Sequence, residues 1–283
     1  MKVLVTGAHG QLGQCLQKQA EKYPEIRFLF ESSQTLDITS EETLSRFFNQ
    51  HQPDFCVNCA AYTNVEAAES EIELAFLVNS EAVKSLAKQC KNHHTKLIHI
   101  STDYVFNGLK LSPYLEADAE NPINVYGASK LQGEVMISEH MHRFFILRTS
   151  WLYSEFGHNF FNTILKKAKE GADLNITTEQ IGTPTNANDL AEFILKLIQV
   201  DSEAFGLYHF SNQGEASWYD FARLILEDTQ RGDKVNLKAT FSYPTKAKRP
   251  KFSVLDKTKL ENTFEIKIPH WRESLVGLLK EVE

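Results

Sequence analysis

Two different spacings of hydrophobic residues alternate along the first half of the chain. Short apolar runs, typical of buried strands, occur at residues 2–6, 26–30, 54–58, 96–100 and 144–147. Apolar residues at helical spacing separate these runs, at residues 11–22, 40–50, 71–90 and 124–141. Strands that alternate with helices imply βαβ units with right-handed crossovers, and such units form parallel sheets. The pattern therefore predicts an α/β fold with a doubly wound parallel sheet that is covered on both faces.

The second half of the chain is less regular. Helical patterns lie at residues 160–168, 188–199, 218–227 and 271–279, one strand pattern lies at 207–210, and residues 243–250 form a basic loop. A prior of about one domain per 150 residues gives two domains for a chain of 283 residues. We predict a first domain over residues 1–150, to which segments near 187–212 return. A smaller C-terminal α/β domain comprises residues 151–186 and 213–283.

The composition is that of an ordinary globular protein, with 42% hydrophobic and 24% charged residues. It excludes collagen-like, low-complexity and wholly disordered chains. The net charge of −7 argues against a nucleic-acid partner, because such proteins carry a basic excess. No apolar run reaches the roughly 18 residues that a membrane span needs, and residues 2–6 are too short for the core of a signal peptide. We therefore expect neither a nucleic-acid partner nor a membrane.

The four cysteines are too few for a disulfide framework in a chain of this length, and they suit a reducing compartment. We therefore expect a cytoplasmic protein. Cys56 and Cys59 form a C-x-x-C pattern, but no second cysteine pair or histidine pair lies near them at the spacing of a zinc site. A buried structural pair is the favoured interpretation.

A glycine-rich loop, from Thr6 to Gly13, follows the first predicted strand. Gly7, Gly10 and Gly13 allow a tight turn, a close approach of the backbone to a pyrophosphate, and close packing of helix on strand. The pyrophosphate would lie at the N-terminus of the next helix, where free N–H groups and the helix dipole favour an anion. The loop predicts a dinucleotide site, with an ordinary glycine-rich turn as the alternative.

An acidic residue near the end of the second strand normally holds a ribose hydroxyl in such a fold. Glu31 lies 18 residues after Gly13, near the expected spacing of about 20. Ser32 and Ser33 follow it, with no arginine beside them. The acid favours NAD and the two hydroxyls tolerate a 2′-phosphate, so both NADH and NADPH stay open. A solvated Glu31 without contact to a cofactor explains the position equally well.

Tyr126 and Lys130 lie four residues apart in a predicted helix, and therefore on one face of it. A tyrosine hydroxyl has a pKa of about 10, and a nearby ammonium lowers that pKa, as a proton-transferring tyrosine requires. Ser101 and Thr102 end the fourth predicted strand, where open α/β sheets bind their ligands. A hydroxyl there can share a substrate oxygen with Tyr126. Together with the glycine loop, these residues predict a catalytic site.

These motifs make the chain resemble the extended short-chain dehydrogenase/reductases, and among them the dTDP-4-dehydrorhamnose reductase family. The resemblance covers nearly the whole length of the chain. In chain order, it is carried by segments 6–13, 36–39, 58–65, 101–106, 124–130, 148–151, 180–185 and 249–250. It implies a Rossmann-like, dinucleotide-binding first domain and a substrate-binding second domain.

For the cofactor, NADPH or NADH, the resemblance implies a path along the carboxyl ends of the first three strands. The residues on this path are Gly10, Gln11 and Leu12 at the pyrophosphate, Asp37 and Ile38 by the adenine, and Ala60, Ala61 and Tyr62 after the third strand.

For the reaction, the resemblance implies that Tyr126 gives a proton to a ketone oxygen. It also implies that Lys130 lowers the pKa of Tyr126 and binds the nicotinamide ribose. Thr102 orients the carbonyl group, and Thr102, Asp103 and Trp151 contact the sugar. NAD(P)H then delivers a hydride to C4 of a 4-keto hexose, which yields dTDP-L-rhamnose.

Two segments depart from the patterns of related proteins. Sugar-nucleotide dehydratases of the same superfamily carry Thr-Asp-Glu, whereas Tyr104 is the third residue here, and the missing acid favours a plain ketone reduction. Some members of the resembled family join subunits through magnesium, with a glutamate of the first helix as a ligand. Gln14 and Cys15 occupy that region here, so we predict no metal.

Two further residues have open interpretations. Arg249 and the lysines before it can meet the substrate diphosphate, since arginine forks match phosphate geometry, but a solvated loop explains them equally well. Trp151 either stacks on the substrate or belongs to the core. The expected partner is a dTDP-sugar, and the chain is expected to be a monomer or a homodimer.

Two alternative functions stay open at this stage. The first is a reductase or epimerase of another 4-keto-6-deoxy sugar nucleotide, because pocket shape decides the substrate. The second is a non-catalytic protein, because the regulatory subunit of eukaryotic methionine adenosyltransferase also resembles this family. The joint retention of Thr102, Tyr126 and Lys130 favours catalysis.

Overall fold

The computed structural model describes residues 1–229, 235–241 and 244–282. Tyr243, at the start of the predicted basic loop, and Glu283, at the end of the predicted second domain, lie outside the described residues, as do residues 230–234 and 242.

Six parallel strands form the central sheet, in the order β10-β5-β4-β3-β1-β2. The strands in chain order are β1 (Lys2–Thr6), β2 (Arg27–Glu31), β3 (Phe55–Asn58), β4 (Lys96–Thr102), β5 (Phe144–Thr149), β6 (Leu152–Tyr153), β7 (Leu174–Thr177), β8 (Ile181–Gly182), β9 (Thr185–Asn186), β10 (Gly206–His209), β11 (Ala216–Ser217) and β12 (Leu237–Thr240). The chain runs from β1 outward to β2 and returns to β3 on the other side of β1. This reversal opens a crevice at the carboxyl ends of β1 and β3.

Helices cover both faces of the sheet. They are α1 (Gln11–Ala20), α2 (Glu41–His51), α3 (Val65–Ala68), α4 (Ile72–Phe76), α5 (Ala82–Asn92), α6 (Val125–His140), α7 (Phe160–Glu170), α8 (Ala187–Gln199), α9 (Trp218–Asp228), α10 (Thr258–Phe264) and α11 (Trp271–Val282). None of the helices in the described part of the chain is long and apolar enough to cross a membrane.

The core is split by the sheet, as the alternation of side chains along β1 illustrates. Val3 and Val5 are fully buried in a cluster with residues of α1 and α8. Leu4, which points to the opposite face, is fully buried among residues of α2, α5 and α6. Because both faces are covered, the strands of the central sheet carry mostly apolar side chains, which is why the sequence shows them as short apolar runs.

The predicted single helix over residues 71–90 is wrong in one respect. A π-helical turn, Leu77–Glu81, interrupts it between α4 and α5. Asn79 in this turn is fully buried, and its carbonyl oxygen lies where a β-carbon on Gly133 of α6 would come within 2.2 Å. The wider turn thus accommodates the close approach of α6, a constraint that apolar spacing along one helix does not reveal.

Part of the second half of the chain extends the sheet. β10 pairs with β5, with Gly206 opposite Phe145, and the Gln19 side chain of α1 donates to the carbonyl oxygen of Asn188 in α8. A third hydrophobic cluster lies apart from the sheet, among α7, α9 and α11. The division into two domains with the boundaries given above stays a prediction.

Candidate active site

The turn between β1 and α1 requires its glycines. Gly7 has φ +65°, and a β-carbon there would lie 2.6 Å from the backbone nitrogen of Ala60. A β-carbon on Gly13 would lie 2.5 Å from the carbonyl oxygen of Gly7. Gly10 precedes α1, whose first turn has neither a side-chain cap nor an acidic residue. The free N–H groups at the start of α1 and the dipole of this helix are therefore available to an anion.

A depression of about 320 Å³ adjoins this turn. Of the residues predicted for the cofactor, Gly7, Gly10, Asp37, Ile38, Ala60 and Ala61 line it, together with Ser32, Ser33 and Gln34. An Oδ1 oxygen of Asp37 accepts hydrogen bonds from the backbone nitrogen and the hydroxyl of Thr39, at 2.9 and 2.7 Å. One carboxylate oxygen of Asp37 is therefore already engaged.

Three residues predicted for the cofactor line neither this depression nor the larger cleft described below. Glu31 ends β2, and its backbone carbonyl accepts a hydrogen bond from the nitrogen of Ala8. The hydroxyl of Tyr62 donates to Glu71 at 2.9 Å. Gly13 packs α1 against the turn, as its close neighbours show.

A larger cleft of about 610 Å³ continues from the glycine turn across the carboxyl ends of the strands. The predicted residues that line it are Gly10, Gln11, Leu12, Ala60, Ala61, Thr102, Asp103, Tyr126, Lys130, Trp151 and Arg249. The structure thus brings every residue predicted for catalysis or for the sugar nucleotide to one cleft. The side chain of Gln11 also spans this cleft, since it donates to the carbonyl of Leu152 and accepts from Asn159.

Tyr126 lies in the first turn of α6, which Asn124 caps by accepting a hydrogen bond from the nitrogen of Gly127 at 2.7 Å. Burial raises the pKa of Tyr126 to about 12; the hydroxyl of Thr102 lowers it, and the carboxyl group of Asp103 raises it further. This direction is opposite to the lowered pKa that the sequence led us to expect. The phenol is therefore protonated at neutral pH and able to donate a proton.

Lys130 does not produce the expected lowering because its amine faces the strand. Its Nζ donates to the carbonyl oxygen of Ile100 at 2.7 Å and lies 3.3 Å from Nε2 of His99. Burial lowers the pKa of Lys130 to about 8, an effect that the charge of Glu134 partly offsets. The lysine is fully enclosed, yet it reaches the cleft.

His99 was missed by sequence reasoning. It is fully buried in β4, and its Nδ1 lies 3.0 Å from the side-chain nitrogen of Asn58, whose oxygen accepts from Thr6 at 2.7 Å. Burial holds the pKa of His99 well below its usual range, so the ring is neutral. A single imidazole inside the apolar run 96–100 was the available signal, since buried polar residues are the informative ones.

Asp103 follows β4 in a short 3₁₀ turn, Asp103–Val105, and is almost fully buried. Burial raises its pKa to about 7, partly offset by the hydroxyls of Ser253 and Thr102. Its Oδ1 accepts from Thr102 at 3.1 Å, whereas its Oδ2 has no hydrogen-bond partner among the described residues. An unpaired acceptor in a cleft is suited to a ligand hydroxyl.

Two indole rings line the cleft. Trp151 and Trp218 stack with ring centroids 3.7 Å apart and planes 7° apart. Trp151 has φ +45°, and a β-carbon on Gly182 would lie 2.6 Å from its ring. Trp218 donates through Nε1 to Gln180 at 3.0 Å. Sequence reasoning found Trp151 and missed Trp218, because nothing in the local pattern at the start of α9 distinguishes it from a core aromatic.

The C-x-x-C pattern does not form a uniformly buried pair. Cys56 is buried, whereas Cys59 is half-buried and lines both the cleft and the smaller depression. Burial raises the pKa of both thiols, so neither is a ready nucleophile.

A glycine turn at one end of a cleft, with a tyrosine and a lysine one helical turn apart at the other, defines the class of short-chain dehydrogenases/reductases. A family model described as the RmlD substrate binding domain matches residues 1–283, and the chain belongs to this family. The family and the fold class predicted from the sequence are confirmed.

Individual relatives agree over nearly their whole length. The dTDP-4-dehydrorhamnose reductase of Sinorhizobium fredii is 39% identical, over 97% of this chain and 95% of that protein. The crystal structure of a dTDP-4-dehydrorhamnose reductase from Clostridium acetobutylicum has a TM-score of 0.95 at 38% identity, over 100% of this chain and 99% of that one. The Bacillus anthracis enzyme of the same name, crystallised with NADP, has a TM-score of 0.93 at 37% identity, over 99% of each chain.

Proposed function

We propose that this protein reduces the C4 ketone of dTDP-4-dehydro-β-L-rhamnose to dTDP-β-L-rhamnose with NADPH or NADH, the last step in making dTDP-L-rhamnose. The observation that carries the proposal is that Thr102, Tyr126 and Lys130 line the same cleft as the glycine turn. The names of relatives that align over nearly the whole chain support this substrate.

The residues of the glycine turn fit a dinucleotide. The backbone at Gly7 and Gly10 leaves no space for a β-carbon without close contacts, at 2.6 and 3.1 Å respectively, and the uncapped start of α1 offers N–H groups to the pyrophosphate. Asp37 and Ile38 would hold the adenosine half. When bound, the nicotinamide supplies a hydride.

Three side chains of this protein would act on the ketone. Thr102 orients the carbonyl oxygen, and Tyr126 donates a proton to it as negative charge develops there. Lys130, which lines the cleft, would donate to the cofactor ribose, and its charge would stabilise the resulting phenolate.

The remaining residues would bind the sugar nucleotide. The unpaired Oδ2 of Asp103 would accept from a sugar hydroxyl, Trp151 would pack against a flat or apolar face, and Arg249 would meet the diphosphate. We propose that residues 151–186 and 213–283 supply most of this substrate-binding part. We also propose a cytoplasmic monomer or homodimer, a location that the four free cysteines support.

The test is a spectrophotometric assay of NADPH and NADH oxidation with dTDP-4-dehydro-β-L-rhamnose. Oxidation that depends on this sugar, with dTDP-β-L-rhamnose as the product, is the expected result. Turnover only with a differently configured keto sugar would show that the substrate is another sugar nucleotide. Tight cofactor binding without turnover of any keto sugar would contradict the proposal that the protein is an enzyme.

A further inference from the structure

The short helix α3 connects two parts of the site through its acidic residues. Glu66 contacts the segment 245–249, and Glu69 accepts a hydrogen bond from the backbone nitrogen of Val125, at the start of α6, at 2.8 Å. Sequence reasoning assigned no helix and no role to these residues. The contacts place α3 between the helix that carries Tyr126 and the segment that carries Arg249.

The carboxylate of Glu66 accepts hydrogen bonds from three donors in the segment 245–249. Its Oε1 accepts from the guanidinium of Arg249 at 2.9 Å, and its Oε2 accepts from the backbone nitrogens of Lys246 and Ala247 at 2.8 and 3.4 Å. Burial acts to raise the pKa of Glu66, but these donors lower it below its usual value. The carboxylate is therefore ionised at neutral pH and holds the segment by charge-assisted hydrogen bonds.

The guanidinium of Arg249 has hydrogen-bond donors that its contact with Glu66 does not use. Only Nη2 is engaged by Glu66, and the Nε of Arg249 is buried without a hydrogen-bond partner among the described residues. The side chain lines the cleft. A guanidinium has five N–H donors in a rigid fork, so the single hydrogen bond to Glu66 restrains the position of the fork and leaves donors for a second anion.

The same segment is tied to the catalytic helix from its other side. Asn124, the cap of α6, donates through its side-chain nitrogen to the carbonyl oxygen of Lys248 at 2.8 Å. The position of the fork is thus fixed relative to Tyr126 by two sets of contacts, through Glu66 and through Asn124.

We propose that Glu66 is a positioning residue, which holds Arg249 and residues 245–249 where the guanidinium binds the diphosphate of a nucleoside-diphosphate sugar. The inference rests on the proposed function for the identity of the substrate. Because Glu66 acts on an anion remote from the ketone, its loss weakens substrate binding and leaves proton transfer intact.

The experiment compares Glu66→Gln, Glu66→Asp and Glu42→Gln with the unmodified protein. Glu42 is the matched control, because it pairs with Arg46 at 2.9 Å on the exposed surface of α2. We expect Glu66→Gln to raise KM for the dTDP keto sugar about tenfold, the loss typical of a charge-assisted hydrogen bond, with kcat and the Kd of NADPH within about twofold. Glu66→Asp, which keeps the charge, recovers part of the affinity, and Glu42→Gln changes nothing.

An unchanged KM in Glu66→Gln would overturn the inference, as would a parallel loss in kcat and NADPH affinity, which marks a general disruption. Calorimetric titration with dTDP alone separates the inference from the proposed function. If the unmodified protein binds dTDP but does not turn over, the proposed reaction fails, while about a tenfold weaker dTDP binding by Glu66→Gln still supports the role of Glu66. If the unmodified protein does not bind dTDP, the inference fails as well.

Discussion

The Nζ nitrogen of Lys130 lies 3.3 Å from Nε2 of His99, deep in the sheet, rather than against the phenol one helical turn away. The carbonyl oxygen of Ile100 accepts a hydrogen bond from the amine at 2.7 Å, and the lysine also lines the cleft. The strand thus fixes where the lysine can act, and burial is the largest cause of the raised pKa of Tyr126.

Replacing Tyr126 with phenylalanine removes the proposed proton donor without changing the ring. We expect kcat to fall by about 10²- to 10⁴-fold, the usual contribution of general acid catalysis. The Kd of NADPH, measured by fluorescence titration, stays within about twofold. Normal turnover by Tyr126→Phe would show that another group gives the proton.

The affinity for NADPH depends on the ionisation of Lys130. The pKa of this lysine is lowered to about 8, so its positive charge is present below that pH and disappears above it. Binding of the anionic cofactor therefore weakens as the pH rises from about 7 to 9. The groups that face the amine are His99, Glu134 and Cys59.

Titration of NADPH at several pH values tests this expectation, with Lys130→Met as the control. The variant binds NADPH about tenfold more weakly at pH 7, by loss of one charge-assisted hydrogen bond, and its affinity no longer changes near pH 8. A pH dependence that persists in Lys130→Met would assign the effect to another group.

Ionisation of Asp103 lowers the free energy of unfolding as the pH rises. Its pKa is raised to about 7 in the folded protein, against about 3.9 in an unfolded chain. The folded state therefore holds the proton of Asp103 more tightly than the unfolded chain does. This tighter proton binding stabilises the folded protein in full below about pH 4, and the stabilisation is lost between about pH 4 and 7. Over that window the slope for this one group is about −1.4 kcal/mol per pH unit.

Urea unfolding of the protein and of Asp103→Asn at pH 4 to 8 isolates this contribution. The difference between the two free energies of unfolding should change across the window, with the variant the more stable at pH 8. Parallel curves for the two proteins would mean that Asp103 ionises in the folded state as it does in the unfolded chain.

The turn at Gly7 tolerates no side chain. Gly7 has φ +65°, and Gly7→Ala places a β-carbon 2.6 Å from the backbone of Ala60. We expect this change to cost at least about 2 kcal/mol of stability and to abolish NADPH binding. Gly277→Ala in α11 is the control, because no described atom beyond its chain neighbours and the backbone of its own helix lies within 4 Å of the new β-carbon. There the helix gains about 0.5–1 kcal/mol. Thermal unfolding and cofactor titration of both variants test this, and intact NADPH binding by Gly7→Ala would contradict it.

Features with a short repeat were predictable from the sequence. The alternation of buried runs and amphipathic segments predicted the strands that form the parallel sheet, and helical spacing predicted that Tyr126 and Lys130 share a face of α6. The segment 40–50 was predicted to be helical, and Ser40 caps α2 by accepting a hydrogen bond from the backbone nitrogen of Thr43. Each of these depends on contacts between residues a few positions apart, which periodicity records directly.

The amino-acid sequence by itself thus determined the fold class, the family and the residues predicted for catalysis and for the sugar nucleotide, all of which line the cleft. The tertiary structure alone decided how these residues are held. Glu66 meets Arg249 across 183 positions of chain, Trp218 stacks on Trp151 from a different element, and burial reverses the expected direction of the Tyr126 pKa. The physical reason is that solvation and pairing depend on which distant segments pack together, and no spacing along the chain encodes that.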